Sequence, residues 1–286
     1  MNCPAAPAMQ KGMPDNPNDY SDEGTAAHLL GSTCLEAVAH PGAYLGRIIV
    51  VGSAPGFDGA LWDVKSPDMT VRREYIVDQD MSDHVAKYVN KVREYAANGG
   101  VLHAEQRISI ASYTDEEGAE GTSDAVVTRP GELTVVDLKY GMGVRVSAVE
   151  NKQLRIYALG VREEMDFAYG PFEKIRFVIS QPRLDHLSEW DCTSAELDAF
   201  GEEVKIAATR ALDLYKTGKE KLLPEFDFKP AEDTCRWCRA KATCPALAKF
   251  VQDAAGADFE AIPNRVPPAT GRYDPVLLSQ KMGAIG

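Results

Sequence analysis

The 286-residue sequence contains no run of about 18 apolar residues and no basic stretch leading into an apolar one at its start. Neither a membrane span nor a secretory leader is therefore expected. Positive charge is scarce: 31 Lys and Arg stand against 43 Asp and Glu, giving a net charge of −12. This excludes a protein that coats nucleic acid through general phosphate affinity, but leaves room for an enzyme whose cations gather around a cleft. The six cysteines are too few for a disulfide framework, and three of them cluster near the C-terminus. Such usage points to metal binding in a reducing compartment, so a cytoplasmic location is expected. What the chain does have is 44% hydrophobic residues, enough to build the core of one large domain or two modest ones.

The most informative stretch is Gly121 to Tyr140, in which Pro130-Gly131 separates two runs of strand formers. A two-residue loop there sets Thr128 opposite Leu133 and Arg129 opposite Glu132, and the same register brings Asp124 opposite Asp137. Side chains alternate along a strand, so Asp137 and Lys139 share a face. Two carboxylates opposed across a strand pair lie about 5 Å apart and repel unless a positive charge sits between them. A hard divalent cation such as Mg²⁺ or Mn²⁺ answers that need, and it activates water and polarises a phosphoryl oxygen. Lys139 would then orient the water or neutralise charge on a scissile phosphate. A solvated surface hairpin is the plainer reading of an isolated D-x-K.

The surrounding elements are readable at lower resolution. Residues 1–20, with four prolines and no apolar period, are expected to form a flexible arm. A helix should begin at Ser21 and carry His28 and Cys34, which lie about 120° apart on the helical wheel and so face different neighbours. Residues 43–63 read as strands or a small insertion, and residues 81–97 as an amphipathic helix. A strand containing Glu105 follows the Gly99-Gly100 break. Ser147 to Glu150 has the form of a capping box opening a helix that places Gln153 and Tyr157 one turn apart on a polar face. Residues 175–180 form another strand, and Thr193 to Glu196 is a second capping box, opening a helix to about Thr217. In Cys235-x2-Cys238-x5-Cys244, three thiols on a short irregular loop suit zinc or an iron–sulfur cluster, given one more ligand. No element is readable after about Phe259.

Taken in order, His28, Glu105, Asp124, Asp137, Lys139, Gln153 and Tyr157 resemble the motif series of the PD-(D/E)XK nuclease superfamily. The likeness is strongest to its RecB-like branch, which includes the iron–sulfur CRISPR-adaptation nucleases and uncharacterised phage nucleases. It runs from about Gly24 to Pro245. The resemblance implies an α/β fold with a mixed central β-sheet flanked by helices, a restriction-endonuclease-like core over residues 21–225, a cysteine segment over 226–258 packed on the N-terminal helix, and an irregular tail over 259–286. It implies Mg²⁺ or Mn²⁺ held by His28, Asp124, Asp137 and the Leu138 carbonyl, with Glu105 and Lys139 in the catalytic set. It also implies a 4Fe-4S cluster, or zinc in its place, on Cys34, Cys235, Cys238 and Cys244, and DNA contacts from Gln153, Tyr157, Lys152 and Arg155. The expected activity is a metal-dependent deoxyribonuclease, more an exonuclease than an endonuclease, acting in phage recombination or replication beside a single-strand-annealing or single-strand-binding protein. Two alternatives stand: a non-cleaving DNA-binding or recombination-assembly protein on the same fold, and a zinc-stabilised interaction module.

Overall fold

The computed structural model describes residues 3–14, 19–63, 68–218 and 223–260. Helices α1 (Ala6–Gln10) and α2 (Asp19–Glu36) precede strands β1 (Ile48–Ala54), β2 (Phe57–Trp62) and β3 (Thr70–Ile76), then α3 (Gln79–Ala96). The main sheet is built from β4 (Val101–Ser109), β5 (Glu120–Arg129), β6 (Glu132–Leu138), β7 (Lys174–Gln181) and β8 (His186–Thr193). Between and after these strands lie α4 (Ala111–Thr114), α5 (Lys152–Tyr169), α6 (Ser194–Thr217), α7 (Glu232–Cys235) and α8 (Pro245–Glu260). Among the described residues no helix is long and apolar enough to cross a membrane.

The fold is mixed α/β. The five-stranded sheet has the order β4-β5-β6-β7-β8, antiparallel throughout except for β6 and β7, which run parallel. A parallel pair needs a crossover, and α5 supplies it. Strand β6 is central and buried almost end to end, because both of its faces are covered. Val136 and Leu138 pack into one cluster with α2, α3 and β1, while Leu133 and Val135 pack into another with α5 and α6. At about 1.5–3 kcal/mol for each large side chain buried, these two layers fix the position of β6 more firmly than any surface pairing could. The second sheet, β2-β1-β3, sends Ile49 and Val51 into the α2–α3 cluster.

The β5–β6 hairpin has the register read from its turn: Thr128 pairs with Leu133, Arg129 with Glu132, and the ladder continues to Ala125 and Val136. Gly131 has a φ of +77°, which with the proline-fixed φ before it is a type II turn, tolerated despite its poorer match to strand twist. The Thr193–Glu196 capping box is present with both of its bonds, and α6 ends at Thr217. The other expected box is not formed. Glu150 adopts a φ of +51°, and Asn151 caps α5 instead, its side chain accepting from Gln153 N and Leu154 N at 3.1 and 3.2 Å. Ser147 accepts from Val149 N at 3.1 Å ahead of the helix, and the Asn151 cap contributes about 1 kcal/mol.

The arm expected over residues 1–20 needs correcting as well. Ala5 and Ala8 are fully buried against Leu214 and Leu223, so residues 3–14 are docked on α6. Small alanines at three-residue spacing bury a helix face with little hydrophobic signal, which is why the pattern reads as featureless. Two strands, β3 and β8, were not expected from the sequence. In β8 the exposed alternate positions are Leu187, Glu189, Asp191 and Thr193, the polar pattern of an edge strand. The expected irregular tail lies outside the described residues from position 261 onward, while Phe259 and Glu260 still belong to α8.

Candidate metal and active site

The site forms where β6 stops and the β4–β5 ribbon runs on beyond it. Pairing between β5 and β6 ends at Ala125 and Val136, so Asp124 and Asp137 are the next residues of the same register, as the turn required. Asp124 Oδ2 accepts from Leu138 N at 2.6 Å, which locks the carboxylate over the end of β6. Its other oxygen lies 3.0 Å from His28 Nδ1, offered by α2.

Glu105 enters by a distortion. The β4–β5 ladder is regular from Val101 to Ala104 and again from Gln106 to Ser109, but Glu105 takes no part in it and has a φ of +46°. A non-glycine residue in the left-handed region inside a strand is held there against its preference, and such positions concentrate at functional sites. The result is convergence: ligand atoms of His28, Glu105 and Asp124 all lie within 4.8 Å of one another.

Asp137 is 4% exposed. Its two oxygens stand 3.0 and 2.9 Å from Lys139 Nζ. The second oxygen is close to the ammonium but badly angled, which leaves it without a hydrogen-bond partner. That oxygen is ion-paired with the ammonium and keeps lone pairs that a further donor or cation could use. Lys139 Nζ also donates to Gln153 Oε1 at 3.1 Å, and Gln153 Nε2 donates to Tyr157 Oη at 3.2 Å. This polar chain runs from β6 onto α5. Tyr157 lies so close over the backbone of Gly121 that a Cβ there would stand 2.6 Å from its ring. Gly160, one turn further along α5, is pressed against Ile108 and Ser109 in the same way. Two glycines thus let the helix settle onto the ribbon beside the carboxylates.

The electrostatics agree with the geometry. Burial, then the neighbouring Asp124, pushes the Asp137 carboxyl up to about 6. Glu105 is solvent-accessible on one side, yet the protein packed around its carboxyl and the Asp124 charge raise it to about 7. Burial opposes protonation of His28, but Asp124, with Asp137 and Glu105 behind it, outweighs that and raises its pKa. Crowded carboxylates repel one another, which favours either a shared proton or a cation between them. Tyr88, from α3, is fully buried, and its pKa is raised by burial and then by the same three carboxylates. In the sequence it reads only as a core position of an amphipathic helix, and nothing there marks it as a neighbour of the site. Beside the cluster, an open groove of about 260 Å³ is lined by His28, Lys139, Tyr140, Gly141 and Gln181, among others.

Two residues expected on the DNA track sit elsewhere. Arg155 is turned toward α6, its guanidinium 3.9 Å from the Phe200 ring centroid and its Nε buried without a partner. Lys152 lines a different groove with Ile156, Phe200 and Val204. Both lie off the Gln153–Tyr157 face of α5, because residues one or two apart on a helix, as Lys152 and Arg155 are from Gln153, do not share a face.

A family model described as "Protein of unknown function (DUF2800)" matches residues 1–282. The chain belongs to that family. Among solved structures it is similar to the crystal structure of SSO0001, at 14% identity and a TM-score of 0.29, over 56% of this chain and 67% of the other. A likeness that weak carries no argument about fold or activity.

The cysteines depart from the expected ligand set. Cys34 is fully buried in the α2–α3 cluster beside Ala26, Ala27 and Leu30, and burial pushes its thiol up to about 11. Positions 26, 27, 30 and 34 form the inward stripe of α2, so Cys34 is a core residue there. Ligation needs a thiolate, which such a site disfavours. Cys192, buried at the β8–α6 junction, is also raised to about 11 by burial. Cys235, Cys238 and Cys244 are half-buried and line a pocket whose lining includes Cys3 and omits Cys34. The segment that carries them is accordingly tied to residues 3–14, where packing on the Cys34 helix was expected.

Proposed function

We propose that this protein is a divalent-metal-dependent nuclease that hydrolyses DNA phosphodiester bonds, more an exonuclease than an endonuclease, and belongs to the PD-(D/E)XK group that its motif series resembles. The observation that carries the reading is the meeting of His28, Glu105 and Asp124 within 4.8 Å at the point where the Asp137–Lys139 pair emerges from β6. Residues far apart in sequence and drawn from four different elements have little structural reason to converge there. A packed core would have filled the position with apolar side chains.

His28, Asp124 and Asp137 would hold Mg²⁺ or Mn²⁺, with Glu105 completing the acidic set and the Leu138 carbonyl as the further ligand that the motif resemblance implies. When bound, the ion would acidify a water and polarise the phosphoryl oxygen. The chain's own residues account for the rest. Leu138 N fixes the orientation of Asp124. Lys139, held between Asp137 and Gln153, places a positive charge where the phosphate gains negative charge. Tyr157 and Gln153 form a donor and acceptor surface on which a strand can be positioned, and the groove bordered by Gly141 leaves room for the sugar–phosphate backbone.

Incubating the purified chain with end-labelled single- and double-stranded DNA in Mg²⁺, Mn²⁺ or EDTA tests the proposal. Cleavage that requires divalent metal and disappears in Asp137→Ala, with DNA binding retained, is the expected result. Binding without cleavage under every metal condition would leave a non-cutting DNA-binding protein.

A further inference from the structure

We infer that Met142 and Val144, on the loop between β6 and α5, form an apolar platform for the faces of the nucleobases next to the scissile phosphate, so that the strand enters this site with its bases unpaired. This rests on the hydrolytic reading for the path of the strand, and goes beyond it in naming what the bases touch.

The loop begins and ends at groups of the site, with Lys139 before it and Gln153 after it. Met142 follows Lys139 by three residues, so even a fully extended chain keeps it within about 11 Å. Val144 lines the open groove together with His28 and Lys139. A strand whose phosphate faces Lys139 therefore carries its neighbouring nucleotides past these side chains.

Met142 is 55% exposed and Val144 58%. Isolated apolar residues are ordinary on a protein surface, but here the backbone beneath them is pinned. Gln181, itself buried, accepts from Val146 N at 2.7 Å and donates to Val144 O at 3.1 Å. His186 Nε2 donates to Val146 O at 3.1 Å, and Ser188 Oγ accepts from Ala148 N at 2.9 Å. The end of β7 and the start of β8 thus hold the loop while its apolar side chains stay in water. Ordering a loop costs conformational entropy, and solvated apolar side chains return none of it.

The surroundings fit a nucleotide. A Cβ at Gly141 or Gly143 would meet no atom of the chain, and neither residue has a positive φ, so the backbone on both sides of Met142 borders open space. Arg145 is exposed and forms no ion pair among the described residues, in a chain where acidic side chains outnumber basic ones. A cation beside apolar side chains matches a charged phosphate joined to a flat base. Two side chains are too small a surface for a protein partner, since stable interfaces take about 800 Å² from each side. A paired base is the wrong shape for them, because a duplex offers its grooves only base edges.

The test is a binding titration with single-stranded DNA, with the same strand made abasic at its terminal nucleotides, and with a blunt duplex of that sequence. The Asp137→Asn background keeps the DNA intact. Loss of the bases should weaken binding about threefold to tenfold when the loop is unchanged, and less than about twofold when Met142→Ser is combined with Val144→Ser. Both side chains are exposed, so the combined variant should fold as its parent does, which a melting curve checks. The duplex should bind more weakly than the single strand. An abasic strand or a duplex bound as tightly as the normal single strand, a base dependence that survives the combined variant, or a chain that binds no DNA would overturn the inference. Wild-type cleavage in Mg²⁺ or Mn²⁺ is read separately: cutting without base dependence removes the platform and keeps the nuclease, and base-dependent binding without cutting does the reverse.

Discussion

Two polar clusters in this molecule are built on opposite principles. The carboxylate cluster draws its residues from α2, β4, β5 and β6, elements whose positions are set by two buried apolar layers. The thiol pocket draws its residues from loops, the four-residue helix α7 and the ends of α1 and α8, with hydrogen bonds tying the cysteine loop to residues 3–14. The first is a site the fold would hold open with or without a ligand. The second has little apolar cover and rests on a few hydrogen bonds. A change at the carboxylates should therefore remove chemistry and leave structure, while a change at the contacts of residues 3–14 should loosen structure first.

The largest effect should come from Asp137→Asn. Cleavage should fall by about 10³-fold or more, since a charge at the reacting centre is removed. The metal-free variant should at the same time melt higher than wild type, because a buried carboxylate raised to about 6 disfavours folding at neutral pH. That term is on the order of 2 kcal/mol. A variant that is inactive and less stable would mean that the carboxylate cluster also supports the fold, and the contrast between the two regions would fail.

Lys139→Ala should cost about 10²–10³-fold in cleavage with little change in DNA affinity at equilibrium, checked by single-turnover rates and a binding titration. Without its ammonium, Asp137 loses the ion-pair partner that holds its carboxyl down, so the pH needed for metal-supported cleavage should also rise.

The pH dependence of melting sharpens the contrast. The Asp137 carboxyl titrates near 4 in an unfolded chain and at about 6 in the folded one, so the native state holds the extra proton between them. In EDTA, stability should fall as pH rises through that interval and then level off. Glu105, raised to about 7, extends the fall upward. His28 acts in the same direction, because its raised pKa contributes stability at low pH that disappears as the ring deprotonates. Mn²⁺ should reverse the slope by binding the deprotonated cluster. Calorimetry across about pH 5 to 8, with and without metal, reads this out.

The smallest effect should come from Tyr157→Phe, which keeps the ring against Gly121 and removes the hydroxyl that accepts from Gln153. A loss of about three- to tenfold in cleavage rate is expected, with stability changed by no more than about 1 kcal/mol. A full loss of activity would give Tyr157 a larger part in the reaction than positioning.

Much of this arrangement is legible in one dimension. Pro130-Gly131 with strand formers on both sides fixes the loop length, and the loop length fixes the register that brings Asp124 and Asp137 together. Alternation then puts Lys139 beside Asp137. These are local consequences of turn chemistry and a period of two, and they need no knowledge of distant residues. The α6 capping box is legible for the same reason.

What the tertiary structure alone decided depends on contacts across long separations. The kink at Glu105 is invisible in a sequence that reads as an ordinary strand, because the strain is maintained by neighbours. Tyr88 and Cys34 both occupy core positions of amphipathic helices, and only the packing of α2 and α3 makes one a neighbour of the carboxylates and the other a thiol sealed away from the pocket. Cys3 lies in a stretch without apolar period, and its place beside Cys235, Cys238 and Cys244 follows from two alanines buried on α6. Local sequence determines which residues can share a strand face or a helix turn. The distances between faces of different elements are set by how their apolar surfaces pack, and that is settled only when the whole chain has folded.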